Sequence, residues 1–152
     1  IAIKATVSGG KYFIEMLKDI EKKNLAKKIK GVKSTTEKIK ILLTEKLNSD
    51  YKNREKIKEE IKQKIKDKEI HKDIFYGYQV ASDMWDLAGD KSADLNYYSK
   101  RLILVSVYSN ILLKILTCKT YQQQSIDKDI DKSLKGVKKF NEVKSSILKQ
   151  FS

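Results

Sequence analysis

The sequence predicts an all-α helical bundle, on three observations. No proline occurs in the 152 residues, so the strongest helix breaker is missing throughout. Apolar residues recur every three or four positions along most of the chain, which is the period of an amphipathic helix. Lys, Ile, Leu and Glu dominate a composition that is 35% charged and 40% hydrophobic, a balance that leans helical. A chain of this length supports one hydrophobic core, so residues 1–152 are expected to form a single helical domain.

Each element follows in order. Val7-Ser8-Gly9-Gly10 reads as a turn, and a helix is expected from about Lys11, with Phe13, Met16, Leu17, Ile20, Leu25 and Ile29 at helical spacing. Gly31 is its natural stop. Ser34-Thr35-Thr36-Glu37 has the form of a capping box, in which hydroxyl and carboxylate satisfy the first backbone amides of a helix. The helix it opens carries Ile39, Leu42, Leu43 and Leu47 on one face, and the polar run Asn48-Ser49-Asp50 is expected to end it. From Tyr51 to Glu69 the only regular apolar positions are Ile57, Ile61 and Ile65, a stripe thin enough to place this helix at the outside of the bundle.

Composition changes at Ile74. From there to Leu87 the chain is apolar around most of a helix, and Gly89 stands where a C-terminal cap belongs. After Gly89-Asp90-Lys91-Ser92 a second apolar helix is expected to about Thr117, and these two should form the centre of the fold. The last helix, residues 126–151, repeats Ile126, Ile130, Leu134, Val137, Phe140, Val143, Ile147 and Phe151 with lysines between. On pattern alone this stripe reads as core packing or a dimer seam. The alternative is a helix lying on a membrane with its lysines toward headgroups.

The net charge of +13 raises the possibility of a nucleic-acid partner. Arginine occurs only at Arg54 and Arg101, however, and base-reading surfaces favour arginine. Lysine accumulated through coding bias, with general attraction to anionic lipid, accounts for the charge more simply. No specific nucleic acid is therefore expected. Cys118 is the sole cysteine and His71 the sole histidine, so neither a zinc site drawn from His and Cys nor a histidine-containing di-iron bundle can be assembled. Phosphate-cradling loops and nucleophile elbows are missing too, and no catalytic residue and no metal ligand is assigned. The longest apolar run, Leu102 to Leu113, holds twelve residues against the ~20 that span a bilayer, so a soluble or peripheral protein is expected. The chain opens on Ile1 and not on methionine, which suggests further residues upstream.

Helical patterning does not explain the run from Ser82 to Arg101. Asp83-Met84-Trp85, Ala88-Gly89-Asp90, Ser92, Asp94-Leu95-Asn96-Tyr97-Tyr98 and Ser99-Lys100-Arg101, followed by Val107-Tyr108, closely resemble the signature of the accessory lipid-binding family of coenzyme Q (ubiquinone) biosynthesis. The likeness is strong over residues 74–116, and Gly9-Gly10 before Tyr12-Phe13 fits a turn of that family. After Leu116 the sequence departs: Tyr121-Gln122-Gln123-Gln124 stands where relatives carry a Trp-Phe-Leu pattern.

The resemblance implies a bundle like that of the TetR regulators, with an internal hydrophobic ligand pocket, usually in a homodimer. Most of the N-terminal helix-turn-helix-like part would lie upstream of Ile1. It further implies a non-enzymatic carrier, without a cofactor, that presents isoprenoid quinone precursors to the di-iron demethoxyubiquinone hydroxylase; a bound isoprenoid or phospholipid is expected. Met84, Trp85, Leu102, Val105, Tyr108, Leu112 and Ile115 are the candidate pocket lining, with ordinary core packing as the competing reading. The candidate partner surface is Asp94, Leu95, Tyr97, Tyr98 and Arg101. Asp90, Asp94 and Arg101 are alternatively a structural network, Asp94 capping a helix and Arg101 pairing across the loop.

The same resemblance turns the last helix toward a membrane surface, with Ile130, Leu134, Val137, Phe140, Ile147 and Phe151 as contacts. The lysine bias suggests a low-GC bacterium and a cytoplasmic protein at the inner membrane face, a mitochondrial matrix protein being the alternative. Two other functions compete. A TetR-like DNA-binding regulator needs a recognition helix, and none is visible before Lys11. A plain helical interaction module would have a filled core and carry no lipid.

Overall fold

The computed structural model describes residues 19–68 and 71–150. Six helices run in order among them: α1 (Asp19–Lys28), α2 (Thr35–Lys52), α3 (Arg54–Asp67), α4 (His71–Leu87), α5 (Asp94–Thr117) and α6 (Ser125–Gln150). The all-helical architecture agrees with the TetR-regulator-like bundle that the sequence implies. The turn at Gly9-Gly10 and the first residues of the expected N-terminal helix lie outside the described residues, as does Phe151.

α5 is the hub. It packs most extensively on α4 and also meets α6, α2 and α3. Its Leu104, Val107, Tyr108, Ile111, Leu112, Ile115 and Leu116 are buried in one core with Val80, Ala81 and Met84 of α4 and Ala88 just after it. The expected centre is therefore there, but α2 shares it: Leu42, Leu43 and Leu47 are among the most enclosed side chains. The expected capping box forms in half. The Ser34 hydroxyl accepts the Glu37 amide at 3.3 Å, satisfying one of the donors left open at a helix start.

The polar run at Asn48-Ser49-Asp50 does not end α2, which continues to Lys52. Asp50 faces inward instead of breaking the helix. Its carboxylate accepts from Lys46 Nζ at 3.0 Å and from the Tyr108 hydroxyl, so a buried charge is matched within the helix and across to α5. The phenol of Tyr108 is pushed well above its ordinary value, by burial first and then by the adjacent Asp50 charge and hydrogen bond. The expected helix from Tyr51 accordingly begins three residues late, at Arg54, after a junction at Asn53. α3 lies at the periphery on α2 and α5, with Ile57 buried, Ile61 partly so and Ile65 exposed.

The first half of α6 is tied to the bundle. Ile126 and Ile130 are buried, and Leu134 and Val137 pack partly buried against the core. Three carboxylates on this half reach neighbours: Asp131 pairs with Lys40 of α2 at 2.7 Å, Asp129 accepts from Tyr121 at 2.7 Å and faces Lys114 of α5 at 3.6 Å, and Asp127 accepts from Thr44 at 3.4 Å. Ile130, expected at a membrane, is thus 0% exposed in the core. The side chains of Phe140 and Ile147 lie outside the described ones.

Candidate functional site

The run from Ser82 to Arg101 folds into a clasp between α4 and α5. α4 ends at Leu87, and Gly89 just beyond it has a φ of +81°, a left-handed conformation that a side chain disfavours. The Gly89 amide donates to Asp86 O and the Asp90 amide to Trp85 O, both at 3.0 Å, the paired bonds of a Schellman termination. This turn aims the Asp90 carboxylate back beneath the loop.

Arg101 fills the clasp and is 0% exposed. Its Nε donates to Ser82 Oγ at 3.0 Å, Nη2 to Asp86 at 3.0 Å, and Nη1 to Asp90 at 3.2 Å and to the Tyr97 carbonyl at 3.1 Å. The ring of Tyr97 lies on the guanidinium, 3.5 Å from its carbon to the ring centroid. Asp90 also accepts from Ser92 Oγ at 2.6 Å and from Lys100 Nζ at 2.9 Å. Burial opposes ionisation of this carboxyl, but the bonds from Ser92, Lys100 and Arg101 outweigh it and hold the group well below the ordinary carboxylate range. Trp85 closes the side of the clasp, its indole donating to Lys100 O at 3.1 Å while the Lys100 ammonium sits 5.2 Å from the ring.

The expected pairing of Arg101 with Asp90 is present, whereas the expected cap is not. Ala93 precedes the first turn of α5 and caps it with no side chain, while Asp94 is already helical; the side chain of Asp94 lies outside the described ones. Arg101 belongs beneath the surface and not on it, because carboxylates from α4 and its loop draw it inward. The sequence does not mark Asp86, Ser82 and Lys100 as partners of Arg101 and Asp90. Their signal was position inside the motif, and only the antiparallel packing of α4 on α5 shows that they converge. Of the candidate partner residues, Leu95 is 81% and Tyr98 58% exposed, one turn apart on α5, and Leu102 follows on the same face at 59%. Tyr97 meets Tyr98 edge to face, their centroids 5.2 Å apart, and is itself half-buried on Arg101.

A second feature adjoins the clasp. An open cleft of about 1130 Å³ lies among the start of α2, the α4–α5 loop, the middle of α5 and α6. Ile39, Leu104 and Val107 are buried in its floor, and Trp85, Ile103, Leu134 and Val137 flank them. Only Trp85 of the candidate lining residues borders it. Met84, Tyr108, Leu112 and Ile115 are enclosed in the core, Val105 is partly buried, and Leu102 points to solvent. The sequence marks all of α5 as apolar. The cleft side is set by which face α6 and α2 leave uncovered, and that side carries Ile103, Leu104 and Val107.

Comparison with known proteins agrees with the motif. The sequence model of the COQ9 family matches residues 74–141, which hold the clasp, all of α5 and the docked half of α6. No curated protein and no solved structure matches the chain. Over the clasp motif and the rest of residues 74–141 the chain is similar to the COQ9 family, an accessory family of coenzyme Q biosynthesis.

Proposed function

We propose that the protein is a non-enzymatic lipid-binding accessory factor of ubiquinone biosynthesis, which holds an isoprenoid quinone precursor and offers it to the di-iron demethoxyubiquinone hydroxylase. The cleft carries this reading. It joins a buried apolar floor to an open mouth beside the family motif, and its volume is slightly above the usual range of small-molecule sites, enough for a long tail. An isoprenoid tail needs such an apolar surface, and the polar head of a precursor needs the open side.

Native mass spectrometry of the purified protein, with solvent extraction and lipid identification, tests the proposal. A stoichiometric isoprenoid or phospholipid is expected. A protein that is empty and takes up no ubiquinone analogue would sink the carrier role and leave a shared scaffold.

Leu95 and Tyr98 are the proposed contacts for the hydroxylase. Large apolar side chains standing in solvent on one helical face suit a partner surface. The double substitution Leu95→Ser, Tyr98→Ala is expected to weaken hydroxylase binding by roughly tenfold or more. Because neither side chain supports the core, stability should move by only about 0.5 kcal/mol per site. Unchanged affinity in a pull-down titration would remove this face from the account. Tyr97 is the wrong residue for that test, since its ring covers Arg101 and its loss would disturb the fold.

Membrane attachment is peripheral in this proposal, with α6 toward the cytoplasmic face of the inner membrane and a homodimer as the unit. No helix among the described residues is long and apolar enough to cross a membrane. Lys138, Lys139, Lys144 and Lys149 concentrate positive charge in the second half of α6, beyond its docked first half.

A further inference from the structure

We propose that the cleft selects an amphiphile with an anionic head, a phosphate or carboxylate on an apolar tail, over a neutral counterpart of the same tail; this rests on the lipid-binding reading above. Among the described residues, five lysines border the cleft against three carboxylates. The lysines come from every wall: Lys40 from α2, Lys91 and Lys100 from the α4–α5 loop and α5, and Lys135 and Lys149 from α6. Their side chains are exposed or half-exposed, whereas the apolar floor is buried, so the charge lies at the mouth.

Lys40 and Lys100 are spent on Asp131 and Asp90, which leaves the exposed Lys91 and Lys135 against one further carboxylate. Asp90 is engaged by Arg101, Lys100 and Ser92 and faces into the clasp. Asp131 is joined to Lys40 at 2.7 Å. Glu37, the third, is exposed in the first turn of α2 and offsets a single charge. A headgroup at the mouth therefore meets a positive field, and one bearing a negative charge gains attraction while its tail occupies the floor. A cationic head would be repelled, and a neutral head would gain nothing from the lysines.

The test uses the full chain and three probes: dodecyl phosphate below its aggregation threshold, dodecanol and inorganic phosphate. Binding is followed by the fluorescence of Trp85, the sole tryptophan, which borders the cleft. Dodecyl phosphate is expected to bind about tenfold more tightly than dodecanol at low salt, as a few exposed charge contacts allow, and most of that margin should disappear near 0.5 M salt. Lys91→Gln with Lys135→Gln, both exposed positions, should shrink the margin by about half or more without changing the thermal midpoint. Equal binding of the two amphiphiles would overturn head selection and leave the lipid-binding reading standing. Binding of neither would overturn both. Inorganic phosphate competing as well as dodecyl phosphate would show a free-anion site, and overturn the proposal for an amphiphile.

Discussion

Replacing Arg101 with alanine is expected to destabilise the protein by about 3–5 kcal/mol, the cost of removing one partner from a buried ion pair. The guanidinium is wholly enclosed and serves four acceptors at once. Its loss leaves Asp90 charged and enclosed with only Lys100 and Ser92, strands the Ser82 hydroxyl in the core, and removes the surface on which Tyr97 lies. The Asp86 contact adds less, because that carboxylate is mostly in solvent. In a chain of this size the thermal midpoint should fall by roughly 6–20 °C. Arg101→Lys should recover little, since an ammonium cannot reach the same set of acceptors in one plane. The pH dependence follows from Asp90. Its folded-state pKa is depressed, so its stabilisation is complete above the ordinary carboxylate value of about 4 and is lost as the pH falls below it. The gap between wild type and R101A should consequently narrow in acid, and urea titrations at pH 7 and pH 3 would measure this. A gap of under 1 kcal/mol at pH 7 would show that the clasp does not hold α4 to α5.

Asp50→Ala should be nearly as damaging, at about 3–5 kcal/mol. It removes the carboxylate that Lys46 and Tyr108 share, leaving a buried ammonium and a buried phenol that each lose a partner. Tyr108→Phe alone removes a single bond and is expected to cost only about 1–3 kcal/mol. The decisive comparison is the triple variant Lys46→Met, Asp50→Leu, Tyr108→Phe. With the Lys46–Asp50 and Tyr108–Asp50 bonds removed on both sides at once, it should recover most of the loss, as apolar replacements of buried ion pairs often do. A triple variant as unstable as D50A would mean that volume at this junction outweighs charge.

How much of this was legible in the sequence depends on the range of the interaction. Local signals were sound: Ser34 before Glu37, Gly31 and Gly89 after their helices, and the apolar periods of α2, α5 and α6 each reflect forces acting within a turn or two. Asp50 is not legible as a core residue, because a polar run looks like a break until a partner 58 residues away satisfies it. For the same reason the motif disclosed that Arg101 and Asp90 belong together but not that Ser82 and Asp86 complete the set. The cleft was the least legible part. A helix that is apolar on most sides does not say which side its neighbours leave open, so Leu102 and Ile103, adjacent in sequence, ended on opposite sides of that decision.

The docking of α6 has a consequence for how the chain is made. The contacts that cover α2, between Asn48 and Gln123, Tyr51 and Tyr121, and Thr44 and Asp127, join residues 70 to 83 positions apart. At a synthesis rate of ~5–20 residues per second, α2 waits roughly 4–16 s for its cover to emerge. Throughout that interval the face of α2 that these contacts later cover lacks its cover, so this stretch is open to aggregation while the rest of the chain is being made.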